Sequence, residues 1–214
     1  MAVKRLLGMV VPVVFLASGV LAQVNEVSVT AGRTFVSTQT ILNSDLSFNP
    51  TLHFANEESV AFNYGRLLTI AKGMGIRAEL PVAIYPRMDL NTAYHGIPKD
   101  IGAVFVTPSL RVNFFARDSL TPWVSAGGGY GRFRNAPSLN FYGTNQGPGG
   151  SNTGVVQFGA GLDAWIWRNL GARAEARDFY SGEPDLNGLA GAHITSNKTR
   201  QHNYYVGIGV IYRF

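Results

Sequence analysis

The last twelve residues, NYYVGIGVIYRF (203–214), alternate without a break. Tyr204, Val206, Ile208, Val210, Tyr212 and Phe214 share one parity. Asn203, Tyr205, Gly207, Gly209, Ile211 and Arg213 share the other. Successive side chains of a strand point to opposite faces. The pattern therefore predicts a strand with one wholly apolar or aromatic face and one face of Gly, Asn and Arg. A helix would scatter both sets around its circumference. A soluble strand would also alternate, so the segment acquires its meaning from the rest of the chain.

Seven further runs are read as strands. In 24–35, Val27, Val29 and Ala31 oppose Ser28, Thr30 and Gly32; in 59–65, Val60, Phe62 and Tyr64 oppose Ala61, Asn63 and Gly65. In 75–85, Ile76, Ala78, Leu80, Val82 and Ile84 oppose Arg77, Glu79 and Tyr85. In 103–115, Val104, Val106, Leu110, Val112 and Phe114 oppose Thr107, Ser109, Arg111 and Asn113. The Gly-rich run 122–134 has no clear facing. In 154–167, Val156, Phe158, Ala160, Leu162, Ala164 and Ile166 oppose Gln157, Gly159, Gly161 and Asp163; in 171–180, Ala172, Ala174 and Ala176 oppose Arg173, Glu175 and Arg177. With the terminal run there are eight strands. Short turns at TIAKGMG, ARDSLT and RNLG alternate with long links over 36–58, 86–101, 135–152 and 181–201, rich in Asn, Gly, Pro, Ser and Thr. That alternation is the signature of a bacterial transmembrane barrel. The expected fold is all-β: an eight-stranded antiparallel up-and-down transmembrane β-barrel, with short periplasmic turns and long extracellular loops.

Composition narrows the choice. The first 22 residues place Lys4 and Arg5 before an apolar stretch from Leu6 to Ala17 and end on Val20-Leu21-Ala22. This is the layout of a cleaved secretory signal peptide. As a membrane anchor the run is short, and Pro12 interrupts it. Residues 1–22 are thus expected to be a Sec-type export signal and 23–214 the barrel. Without Lys4 and Arg5 the 18 basic residues fall to 16 against 13 acidic ones, too even a balance for a nucleic-acid-binding surface. The absence of cysteine excludes disulfides, thiolate metal sites and a lipid-anchored N-terminus. No cofactor is expected.

The charges separate a membrane barrel from a soluble one. Arg77, Glu79, Arg111, Asp163, Arg173, Glu175 and Arg177 all lie opposite the apolar rows. In lipid the apolar rows face outward, and these charges form a mutually neutralising network inside a lumen that eight strands leave just wide enough for side chains. Aromatic belts are expected at both interfaces: Trp123, Trp165, Trp167, Tyr212 and Phe214 at the short-turn end, and Phe35, Phe62, Tyr85, Phe133, Tyr180 and Tyr204 at the other.

The export signal, the strand GARAEARDFYSG (171–182) and the ending VGIGVIYRF (206–214) together resemble the outer-membrane β-barrel superfamily of OmpA-like eight-stranded barrels. The resemblance covers residues 23–214. It implies location in the outer membrane of a Gram-negative cell, among lipopolysaccharide and other outer-membrane lipids. It also implies that Val206, Ile208, Val210, Tyr212 and Phe214 form the signal read by the barrel-assembly machinery. No periplasmic cell-wall-binding domain is expected after the barrel, so the resemblance does not imply anchoring to the wall.

Activity is less legible. The first expectation is a monomeric, non-enzymatic barrel with a packed lumen, acting structurally or through surface ligands at its loops. A small passive pore is one alternative. A lipid-modifying enzyme of the lipid A deacylase or acyltransferase type is another. All four histidines, His53, His95, His193 and His202, fall in or beside the long links, and His193, Ser196 and His202 are the candidates for that chemistry. A nucleophile needs a base within hydrogen-bond reach, and no spacing here establishes one. No metal-ligand spacing appears either. GGGYG (127–131) lacks the helix and Lys-Ser/Thr of a phosphate loop and reads as a close-packed strand.

Overall fold

The computed structural model describes residues 25–37, 39–42, 51–54, 57–91, 100–116, 118–135, 150–182, 195–196 and 200–214. The segment 1–22 therefore lies outside the described residues. Twelve strands are assigned in chain order: β1 (Asn25–Val36), β2 (Gln39–Leu42), β3 (Thr51–Phe54), β4 (Glu57–Ala71), β5 (Met74–Asn91), β6 (Asp100–Val106), β7 (Ser109–Asn113), β8 (Leu120–Asn135), β9 (Gly150–Trp165), β10 (Leu170–Gly182), β11 (Thr195–Ser196) and β12 (Arg200–Arg213).

Eight antiparallel staves close into a barrel: β1, β4, β5, β6 with β7, β8, β9, β10 and β12. β6 and β7 form one stave in continuous register. Val82 faces Val106 and Glu79 faces Ser109, three positions further along both chains. The gap between them falls at Thr107-Pro108, where Pro108 and its neighbour Pro81 have no N–H to donate. Thr107 N still donates to Pro81 O (3.1 Å). The short strands β2, β3 and β11 fall within the links 36–58 and 181–201, where no strand is expected from the sequence, and extend the sheet beyond β5 at the long-link end.

Closure rests on β1 and β12. They pair from Glu26–Arg213 to Val36–Asn203, and Asn25 and Phe214 exchange two backbone bonds of 2.8 Å. Register fixes the dimensions. A path perpendicular to the strands runs Phe35, Tyr204, Asp178, Phe158, Ala126, Leu110, Ala78, Arg66 and returns to β1 at Asn25. The stagger is 35 − 25 = 10 residues. With strands about 4.8 Å apart and about 3.3 Å rise per residue, eight strands then tilt about 41° at a backbone radius of about 8 Å.

The β4–β5 turn is a two-residue hairpin loop. Lys72 (φ 51°) and Gly73 (φ 79°) both take the left-handed conformation between the paired Ala71 and Met74, the turn whose twist matches that of the strands. The outward rows are apolar and exposed, from Val27 and Val29 on β1 to Val206, Ile208 and Val210 on β12. The inward rows are buried and mostly polar. The Gly-rich stave β8 also resolves: Thr121, Trp123, Ser125 and Phe133 face inward, while Val124 and Tyr130 face outward.

One lumen glycine shows how tightly the interior is filled. A Cβ at Gly161 would overlap the Trp123 ring and stand 2.5 Å from the Ala174 carbonyl oxygen. Gly161→Val is expected to cost about 1–3 kcal/mol through overpacking, read as a lower urea midpoint on a heat-modifiability gel.

Candidate functional site

The lumen carries the densest chemistry of the molecule. The seven charged residues expected there are all buried inside the barrel, and Glu26 joins them. Among the described residues the buried charges are four arginines (77, 111, 173, 177) and four acids (Glu26, Glu79, Asp163, Glu175). Glu79 Oε1 is a hub. It accepts from Arg111 Nη1 (3.0 Å), Arg177 Nη2 (3.0 Å) and Arg173 Nη1 (3.4 Å). Asp163 takes Arg173 in a two-pronged grip, Nε to Oδ1 at 2.7 Å and Nη2 to Oδ2 at 2.9 Å. Such planar paired bonds are the strongest that Arg forms. Glu26 lies against Arg111 and also reaches Arg77 (3.2 Å), Arg173 (3.3 Å) and, at 3.9 Å, Arg213.

Trp123 stands in the middle of this layer, which corrects its expected place in the inner aromatic belt. It is 1% exposed, with the guanidinium carbons of Arg111, Arg173 and Arg177 at 5.4, 5.3 and 5.0 Å from its ring. Its Nε1 donates to Asp163 Oδ1 (3.1 Å). The ring supplies its electron-rich face to crowded cations, and Gly161 supplies the space. Trp165 is likewise turned to the inner mouth, with the Arg213 guanidinium 3.7 Å above its ring. Trp167, Tyr212 and Phe214 remain on the outside.

A second layer closes the outer half of the lumen. Tyr85, Phe105, Phe133, Phe179 and Tyr205 are buried together with Val155. Phe105 touches Tyr85, Phe133 and Phe179 at ring separations of 5.2, 5.6 and 5.4 Å. Tyr85 and Phe133 thus belong to an internal aromatic plug, not to the outer belt. Tyr85 shares the parity of the charged residues Arg77 and Glu79, so the alternation carried its signal; β8 has no inward charged row, and Phe133 shares the inward parity of Trp123 and Ser125. Phe62 points outward but lies opposite Val29 in mid-strand, away from either rim. Thr30 joins the two layers: its hydroxyl donates to Glu175 Oε1 (2.5 Å), so Tyr205 Oη (2.8 Å) donates to Thr30.

Of the enzyme candidates, only His202 has a described side chain. His95 and His193 lie outside the described residues, and the side chains of His53 and Ser196 are likewise outside them. His202 sits on the outer wall. Its Nδ1 is 2.7 Å from Asp178 Oδ2 on the neighbouring β10. The sequence reading did not pair these two, because cross-strand register is not visible in a single chain. Among the described residues there is no group of three or more His, Cys, Asp or Glu that could hold a metal.

Buried charges that lose a partner are costly, about 3–5 kcal/mol. Glu79→Gln leaves Arg111, Arg173 and Arg177 short of one carboxylate and is expected to destabilise by that order. The readout is the urea unfolding midpoint in detergent, with a change below about 1 kcal/mol counting against the hub role.

No protein-family model matches the sequence, and no curated protein does. Solved structures do. Pseudomonas aeruginosa OprG aligns over 90% of this chain and 96% of its own at 11% identity and a TM-score of 0.56. AlkL, determined in lipid bilayers, aligns over 94% and 95% at 12% identity and a TM-score of 0.53. Neisserial surface protein A aligns over 89% and 97% at 12% identity and a TM-score of 0.52. At these identities the likeness concerns the fold, and the chain has the fold of the eight-stranded outer-membrane β-barrels.

Proposed function

We propose that this protein is an integral outer-membrane barrel with a structural or surface-interaction role, whose lumen is closed to bulk flow. One observation carries the reading: the barrel is inside out relative to a soluble protein. Its exposed outer rows are apolar, and its buried interior is ionic. Only a hydrocarbon solvent makes that arrangement favourable. On this reading the signal in residues 1–22 directs Sec export. The outward row Val206, Ile208, Val210, Tyr212 and Phe214 presents the assembly signal to the barrel-assembly machinery. Outer-membrane lipids, lipopolysaccharide included, surround the monomer, and surface ligands meet the links beyond the outer rim.

A conducting role is disfavoured by the two stacked seals, one ionic and one aromatic. A lipid-modifying role gains an oriented histidine at His202, but the nucleophile expected for it, Ser196, has no described side chain.

Cell fractionation is expected to place the protein in the outer-membrane fraction, with a heat-modifiable band on gels. Full solubility without detergent would sink the reading. In planar bilayers the folded barrel is expected to show no large stable channel. A Phe105→Ala/Phe179→Ala double variant should remain closed, because the ionic layer below is intact. Large wild-type channels would refute the closed lumen.

A further inference from the structure

Two arginines on the outward row of β8 stand without a counterion. Arg132 and Arg134 are exposed and continue the outward parity of Val124 and Tyr130. Among the described residues neither has an ion-pair or hydrogen-bond partner. Across β9, Arg132 faces Asn152 and Arg134 faces Gly150; across β6 they face Val104 and Gly102. The link 135–152 that joins β8 to β9 contains no Asp or Glu. The nearest acid in register is Asp100, two residues beyond Gly102, so the two cations stay in excess. The other outward arginines near this rim are engaged. Arg33 stands opposite Glu58, and Arg200 lies over the Tyr180 ring.

Register gives their depth. At this tilt each residue rises about 2.5 Å along the barrel axis, and each step between strands shifts the level by about 3 Å. Tyr130 on β8, Tyr180 on β10 and Tyr204 on β12 then stand within about 2 Å of one level. Such a row of tyrosines marks a membrane interface. Arg132 and Arg134 lie about 5 and 10 Å beyond it, at the level of lipid head groups. Below Tyr130 the same row drops to small residues. Gly128 and Ala126 lie between Phe158 on β9 and Leu110 on β7, which are 56% and 58% exposed. A Cβ at Gly128 would meet only the Val155 carbonyl oxygen, at 3.4 Å, so the space outside it is open. An apolar furrow thus runs from the arginine pair down into the hydrocarbon layer.

A cation at head-group level with no counterion from the protein draws one from the lipid. Residues two apart on one strand face lie about 6–7 Å from each other. Two guanidinium groups at that spacing can share one phosphate, whose oxygens match their planar forks. A phosphodiester carries one negative charge, and in a zwitterionic lipid the head-group ammonium offsets it. A phosphomonoester carries about two negative charges and so matches two cations. The furrow adds a second requirement, that the phosphate be joined to acyl chains. We propose that Arg132 and Arg134 clamp a phosphomonoester of an outer-leaflet glycolipid, with one of its acyl chains laid along the furrow below Tyr130. The site deepens the outer-membrane reading and rests on it for its natural ligand, although its chemistry can be measured apart from location.

The test uses the full barrel refolded in detergent micelles. Fractionation decides location separately, so failure of the site and failure of the outer-membrane reading are distinguishable. The probes are phosphorylated lipid A, the same lipid with its phosphates removed, and inorganic phosphate. Bound lipid is counted by native mass spectrometry over a concentration series. The phosphorylated lipid is expected to bind about tenfold or more tightly than the dephosphorylated one, as charge-assisted bonds to two guanidinium groups require. Both arginines are exposed, so the Arg132→Gln/Arg134→Gln double variant should keep its heat-modifiable band. It should lose the preference for phosphate while keeping the weaker binding. Arg33→Gln/Arg200→Gln removes as much charge elsewhere on the rim and should keep the preference in full. Gly128→Leu fills the furrow and should weaken both lipids alike. Millimolar inorganic phosphate should displace neither. Equal binding of the two lipids to the wild type would overturn the proposal. So would a preference that survives Arg132→Gln/Arg134→Gln or is lost in Arg33→Gln/Arg200→Gln, full affinity in Gly128→Leu, or displacement by inorganic phosphate.

Discussion

The constraint beneath every other feature is that the backbone must finish its hydrogen bonding on itself. A sheet in hydrocarbon cannot leave an edge open, so β12 must return to β1. The register in which it does so gives a stagger of 10 residues. Eight strands at that stagger admit a backbone radius of only about 8 Å. Such a tube has no room for a water column and too much room to be empty. Its inward side chains must fill it, and their character follows from the number of strands and the stagger.

Two solutions to that filling problem are stacked in the same lumen. In the inner half, long Arg and Glu side chains reach across the axis, and Trp123 occupies the gap that Gly161 leaves. Buried ion pairs seldom outperform apolar packing on energy alone. Here the balance of four arginines with four acids, and the many bonds each one makes, keeps any charge from standing uncompensated. In the outer half, five aromatic rings do the same work without charge. Thr30 is the seam where one chemistry hands over to the other.

Much of this was readable from alternation. The seven charged lumen residues and the outward apolar rows follow from parity alone, because a period of two assigns faces without knowledge of neighbours. Glu26 shares the parity of Ser28 and Thr30, but it precedes the apolar residues Val27, Val29 and Ala31 that declare the alternation of that run. Trp123, Tyr85 and Phe133 were misplaced for a different reason. Aromatic residues near strand ends fit both a rim and a plug, and β8 has too many glycines to declare its faces. The pairing of His202 with Asp178 depends on which residues stand opposite one another across β10 and β12. A chain read alone carries no such information.

Glu26, near the start of β1, bonds or pairs with arginines from β5, β7, β10 and β12. Arg213 stands directly opposite Glu26 on the neighbouring β12, and Arg77, Arg111 and Arg173 reach it from further round the barrel. The pairs with Arg173 and Arg213 need the β1–β12 seam, which no growing hairpin supplies. Part of the ionic layer needs only a hairpin, since Asp163 and Arg173 face each other across β9 and β10, but the pairs that Glu26 makes with β10 and β12 wait for the sheet to close. Closure completes the layer: a half-curled sheet leaves Glu26 short of its partners on β10 and β12. The protein should accordingly pass between open and closed forms slowly and with marked hysteresis, behaving less like a zipper than like a latch.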